Sequence, residues 1–166
     1  MIAKVLVVMG SKSDLEDLKP CFRTLDELKV PYEARVSSAH RTPEDTAQLS
    51  KKARDRGIRV IIAAAGGAAH LAGAMAASTT LPVLAVPIVK GGLGGLDSLL
   101  SSVQMPPGVP VASVGMMGGP ANAALFAAQI IATEDRDLAQ TLADRRAAQA
   151  EKVRAADREL GDSIKK

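Results

Sequence analysis

The chain has only two histidines, and each sits in a short polar or glycine-rich turn directly after an apolar run. His40 lies in Ser37-Ser38-Ala39-His40-Arg41-Thr42-Pro43, and His70 in Ala65-Gly66-Gly67-Ala68-Ala69-His70. A third turn, Gly10-Ser11-Lys12-Ser13-Asp14, follows the first apolar run. Imidazole titrates near neutrality, so His40 and His70 can both give and take a proton. Arg41 has the planar fork that grips a phosphate with two hydrogen bonds. Ser11 and Ser13, together with the backbone amides of a helix start, add donors for the same anion. Asp14 can accept from ribose hydroxyls. Gly66 and Gly67 let a ligand come close to the backbone. Brought together, these turns would make a pocket for a phosphorylated small molecule.

Each turn also has a plainer structural explanation. Ser13 or Asp14 can cap a helix. His40 and Arg41 can be an ordinary surface loop. His70, read as lying just inside a helix of small residues, can be packed and hydrogen-bonded in a core or a subunit contact. Two histidines without a cluster of acids or cysteines are a weak basis for a metal site. Lys90 and Asp97 flank Gly91-Gly92-Leu93-Gly94-Gly95, which suits either a closely approaching loop or a flexible connector. Arg145, Arg146, Lys152 and Arg154 read as a solvated helix face.

The elements that must position these turns follow from periodicity. Apolar, β-branched runs at 3–9, 32–36, 59–65, 82–86 and 109–114 predict five strands. Helical spacing predicts helices over 14–29, 43–56, 68–78, 96–104, 121–133 and 135–160. Pro20 is a defect inside the first helix and marks a kink or a late start. Pro43 suits the first turn of the second, with Thr42 as its cap and Gly57 as its stop. Strand and helix alternate, which predicts an open parallel sheet covered on both faces. Ligands bind such sheets beyond the carboxyl ends of the strands, where all three turns fall.

Composition narrows the class of protein. The 166 residues are 47% hydrophobic but only 2% aromatic, so the core must be aliphatic. The length predicts a single domain over 1–166. Net charge is +3, with basic and acidic residues interleaved and no aromatic platform, which argues against nucleic acid as a partner. The lone Cys21 excludes an intrachain disulfide and fits a reducing, cytoplasmic compartment. The start of the chain lacks the pattern of a secretory signal. Residues 60–89 carry no Asp, Glu, Lys or Arg, but glycines, prolines and threonines break them into pieces, so no membrane span is expected. From 60 to 133 the only acidic or basic side chains are Lys90 and Asp97, which predicts a homo-oligomer with its apolar helices at subunit contacts. The C-terminal helix, within 134–166, is expected to pack on a neighbouring subunit.

The motifs in combination resemble one family. Met9-Gly10-Ser11-Lys12-Ser13-Asp14, Ser38-Ala39-His40-Arg41-Thr42-Pro43, Ala65-Gly66-Gly67-Ala68-Ala69-His70-Leu71, Asp97-Ser98-Leu99-Leu100 and Val103-Gln104-Met105-Pro106 together resemble the N5-carboxyaminoimidazole ribonucleotide mutases of purine biosynthesis. The resemblance runs in order through almost the whole chain, ending at Asn122-Ala123-Ala124-Leu125. It implies a three-layer, flavodoxin-like α/β domain in a homo-octamer, with neither a metal nor an organic cofactor. It implies that Ser11, Asp14 and Arg41 bind the ribonucleotide, with Ser13 and the Gly66-Gly67 backbone nearby. His40 matches the general acid/base, and His70 a pocket histidine. A second branch of the family carboxylates aminoimidazole ribonucleotide with free carbon dioxide. That branch carries lysine after the active histidine and an Ala-Gly-Arg-Ser-Asn loop. Arg41 and the Gly66–His70 sequence here favour the mutase over the carboxylase, and in the alternative of a non-catalytic nucleotide-binding protein the two positioned histidines would be superfluous. Ala64 stands where the mutases have glycine, and Ala72 where they have proline. The 89–95 loop is richer in glycine than the family pattern, and the 115–120 stretch is about one residue shorter.

Overall fold

A computed structural model describes residues 2–164. The strands are β1 (Val5–Met9), β2 (Tyr32–Val36), β3 (Val60–Gly66), β4 (Val83–Ile88) and β5 (Ala112–Ser113). The helices are α1 (Leu15–Glu27), α2 (Pro43–Lys51), α3 (Leu71–Ala76), α4 (Leu96–Val103), α5 (Gly119–Ala132) and α6 (Arg136–Ile164). The strands form one parallel sheet in the order β2-β1-β3-β4-β5. This is the flavodoxin-like order, and its direction reverses between β1 and β3. Met9 pairs with Val36 on one side and Ala64 on the other, so β1, β2 and β3 reach their carboxyl ends at the same edge.

Side-chain alternation divides the core between two layers. Val5, Val7, Met9, Val60, Ile62, Ala64, Leu84, Val86 and Ile88 face one side, against Leu18, Cys21 and Leu25 of α1 and four alanines of α5. Leu6, Val8, Ile61, Ala63, Val83 and Ala85 face the other, against Leu71, Ala72 and Met75 of α3. Burial on both faces is why the central strands read as continuous apolar runs. In α5, Ala123, Ala124, Ala127 and Ala128 are fully buried, and their small size lets α1 and α5 lie side by side. Burial pushes the Cys21 thiol up to about 12, which keeps it an unreactive packing group.

Several boundaries differ from the sequence expectations. α1 begins at Leu15 and runs through Pro20, with neither a late start nor a break, and the Thr24 hydroxyl donates to the Pro20 carbonyl at 2.9 Å. α2 stops at Lys51 rather than 56. A separate 3-10 turn over Arg54–Arg56 follows, ended by Gly57 in the left-handed region at φ +89°. α3 is shortened to six residues because Gly66-Gly67-Ala68-Ala69 is used as a turn. β5 shrinks to two residues, since Pro110 has no N–H to give a sheet ladder. α6 runs on to Ile164 but is mostly exposed after Ala150. No helix among the described residues is long and apolar enough to cross a membrane.

Candidate functional site

The three turns singled out in the sequence meet in one cleft at the carboxyl edge of the sheet. Its volume is about 380 Å³, and its walls include Ser11, Ser13, Asp14, His40, Arg41, Gly66 and His70. Gly67 is not on the wall. It turns the chain at φ +62°, with no heavy atom near the place a Cβ would occupy.

The first wall is the β1–α1 turn. Ser11 and Asp14 share the cap, and Ser13 is not the capping side chain. The Ser11 hydroxyl accepts from the Ser13 amide at 3.2 Å, while the Asp14 carboxylate accepts from the Ser11 amide at 3.1 Å. This reciprocal cap opens a 3-10 turn that leads into α1. It pins a buried carboxylate, only 3% exposed, at the floor of the cleft.

The second wall is the β2–α2 loop. Thr42 occupies the cap position of α2 but does not cap it. Its hydroxyl instead accepts from the Ser38 amide at 3.0 Å and donates to the Ser38 carbonyl at 3.2 Å. Ser37, buried beneath, shares a 2.7 Å hydrogen bond with the Thr46 hydroxyl. These bonds close residues 38–42 into a tight turn that presents His40 and Arg41. Arg41 reaches back across the sheet edge and donates to the Gly10 carbonyl at 3.1 Å, joining the first two walls.

The third wall follows β3. Ala69 adopts a left-handed conformation at φ +48°, at a cost of about 1 kcal/mol for a residue with a Cβ. His70 therefore precedes α3, in its cap position, instead of lying within the helix. Its Nδ1 is 2.7 Å from His40 Nε2, and the two rings meet edge to face with centroids 4.8 Å apart. A single proton can bridge these nitrogens, so the tautomer of one ring sets that of the other.

A fourth contributor was not singled out for the pocket from sequence. Lys90, just past β4, donates to the Ser13 hydroxyl at 2.9 Å and forms an ion pair with Asp14. The available signal was its isolation: it is the only Lys or Arg between 60 and 133. Ser38 and Ala39 also line the cleft. Asp97 does not line it, and its carboxylate accepts from the Ser98 amide. Among the described residues, no group of three or more His, Cys, Asp or Glu side chains is placed to hold a metal ion.

Sheet order and cleft together define a class: a flavodoxin-like α/β domain with an arginine, a buried carboxylate and a pair of imidazoles gathered at the strand ends. More narrowly, the chain belongs to the AIR carboxylase family, whose model matches residues 4–152. It is 56% identical over 141 residues to the N5-carboxyaminoimidazole ribonucleotide mutase of Bacillus subtilis, covering 84% of this chain and 87% of that one. To the enzyme of the same name from Escherichia coli it is 49% identical over 152 residues, covering 91% and 90%. The crystal structure of Treponema denticola PurE superposes with a TM-score of 0.85 at 30% identity, covering 94% of this chain and 97% of that one.

Proposed function

We infer that this chain is an isomerase that moves the carboxylate of N5-carboxyaminoimidazole ribonucleotide from the exocyclic nitrogen to ring carbon 4, within purine biosynthesis. The observation that carries the reading is the His40–His70 contact at 2.7 Å inside a cleft that also holds Arg41 and Asp14. Arg41, Ser11 and Ser13 would take the phosphate, and Asp14 the ribose hydroxyls. Gly66 would allow the nucleotide to lie against the backbone, and Gly67 would serve only to turn the chain there. Loss of carboxylate from nitrogen, with a proton delivered to that nitrogen by His40 as acid, leaves an electron-rich aminoimidazole and carbon dioxide. Carbon 4 then attacks the carbon dioxide, and the proton it carries must leave. His40 is the base that takes this proton, and the short contact lets His70 share it. Keeping carbon dioxide beside the ring supplies proximity, and the small apolar wall at Ala39, Ala65, Ala69 and Leu71 limits entry of water. The chemistry as written draws on side chains and substrate alone.

The test is to supply the carbamate ribonucleotide without bicarbonate and follow formation of the carbon-4 carboxylate. Conversion under those conditions supports the mutase. Turnover that needs aminoimidazole ribonucleotide plus bicarbonate would instead support the carboxylase reading. Binding without either conversion would leave a nucleotide-binding protein.

We further propose that the chain assembles with copies of itself, as an octamer, in the cytoplasm. The physical support for self-assembly lies in α4. It buries Ser98 and Ser102, while Leu96, Leu100 and Val103 are each about half exposed. A helix that turns serines inward and leucines outward is suited to being covered by protein.

A further inference from the structure

Asp14 poses an electrostatic problem for the proposed ligand. Its side chain is only 5% exposed, and it lines the same cleft that Arg41 would offer to a phosphate. A carboxylate at that depth repels an incoming dianion, and its field is weakly screened. Lys90 meets this problem. Its stem crosses the end of β3 over Gly66, where a Cβ would stand 3.4 Å from Lys90 Cβ and 3.6 Å from its Cδ. The ammonium then reaches both Ser13 and Asp14. Counting only Lys, Arg and Asp side chains, Arg41 and Lys90 against Asp14 leave the lining with one net positive charge.

We propose that Lys90 is a substrate-positioning residue that acts through Asp14, cancelling the buried carboxylate so that Arg41 is free to attract a phosphate monoester. The inference rests on the reading of the cleft as a phosphosugar site, but it concerns anion affinity and not the isomerisation. Lys90 lies on the cleft wall without being assigned a contact to the reacting atoms. Its effect belongs in binding and in salt dependence, and not in the rate of chemistry.

The probe is inorganic phosphate, titrated by calorimetry into the full chain and its variants at two salt concentrations. Lys90→Met should weaken phosphate binding about tenfold at low salt, and less at high salt. Lys90→Arg should stay within about threefold of the parent. Asp14→Asn should bind phosphate more tightly than the parent. The double variant Asp14→Asn/Lys90→Met should return to within about threefold of the parent, because it removes both charges. Should Lys90→Met fail to fold with its carboxylate unpaired, Asp14→Asn and the double variant still decide the matter. Unchanged or weaker binding by Asp14→Asn, or a double variant tenfold weaker than the parent, overturns the proposal. Unchanged phosphate affinity in a folded Lys90→Met variant overturns it as well. Isomerisation by the parent chain is scored separately, so loss of the mutase reading and loss of the role of Lys90 give different results.

Discussion

At the residue scale, the proposed reaction separates groups that would hold the substrate from a group that would react. In the proposed reaction His40 gives a proton to the exocyclic nitrogen and takes one from carbon 4, so its removal should affect turnover more than binding. His40→Asn should lower kcat by about 10²–10⁴-fold, the usual worth of a positioned acid or base, while ribonucleotide binding persists. Near-parental kcat would remove His40 from that role. Arg41 makes the opposite prediction. Arg41→Ala deletes a charge-assisted contact of about 1.5–3 kcal/mol, so KM should rise about 10- to 150-fold with a smaller change in kcat. Steady-state kinetics on both variants separates these outcomes. Loss of the Arg41 bond to the Gly10 carbonyl, which joins two walls of the cleft, would appear as a lower melting temperature in the same variant.

At the element scale, much of the architecture was legible because its causes are local. The runs that became β1, β3 and β4 are apolar on both faces, and that pattern belongs to a buried parallel strand. The three turns fell where strands end, so their meeting at one edge followed from strand order. What was not legible depended on competition between local bonds. Thr42 looked like a helix cap, but its hydroxyl is used by Ser38 instead. His70 looked helical among alanines, but the Gly66–Ala69 turn takes those residues first. Lys90 gave no periodic signal, and only the path over Gly66 shows what it reaches. The alanines of α5 carry a further consequence. They are fully buried against the layer containing α1, leaving little room for a larger side chain. Ala127→Leu should therefore destabilise the fold by about 1–3 kcal/mol, through strain at the α1–α5 contact. Urea unfolding with an unchanged m value would show it, and an unaltered midpoint would mean that the two helices can part freely.

At the scale of the whole molecule, one group of exposed apolar side chains lies where the sequence is almost uncharged, apart from others near both ends of the chain. Leu93, Leu96, Leu100, Val103, Met117 and Phe126 are all exposed, and all lie between residues 60 and 133. Within α4, Leu96, Leu100 and Val103 follow helical spacing and form one stripe. The buried side of the same helix is held by hydroxyls. Ser98 donates to the Ile88 and Gly95 carbonyls at 3.0 and 2.9 Å, and Ser102 to the Ser98 carbonyl at 2.7 Å. Of these, the Ser98 bond to Ile88 ties the helix to the end of β4 without help from Leu96, Leu100 or Val103. A charge placed on the stripe should therefore spare the folded subunit and disrupt only its association. Leu100→Glu should retain the parent's circular dichroism and sediment as a smaller species, because a carboxylate buried at a contact without a partner opposes assembly. If the variant sediments with the mass of the parent assembly, α4 lies outside the contacts between subunits. If the parent itself sediments as a single subunit, the exposed leucines require another partner. The carboxyl end of β4 and the start of α4 are joined by the 89–95 loop, which carries Lys90. Assembly through α4 would thus constrain the segment that delivers Lys90 to Asp14, so Leu100→Glu should also weaken phosphate binding, even though it lies outside the cleft.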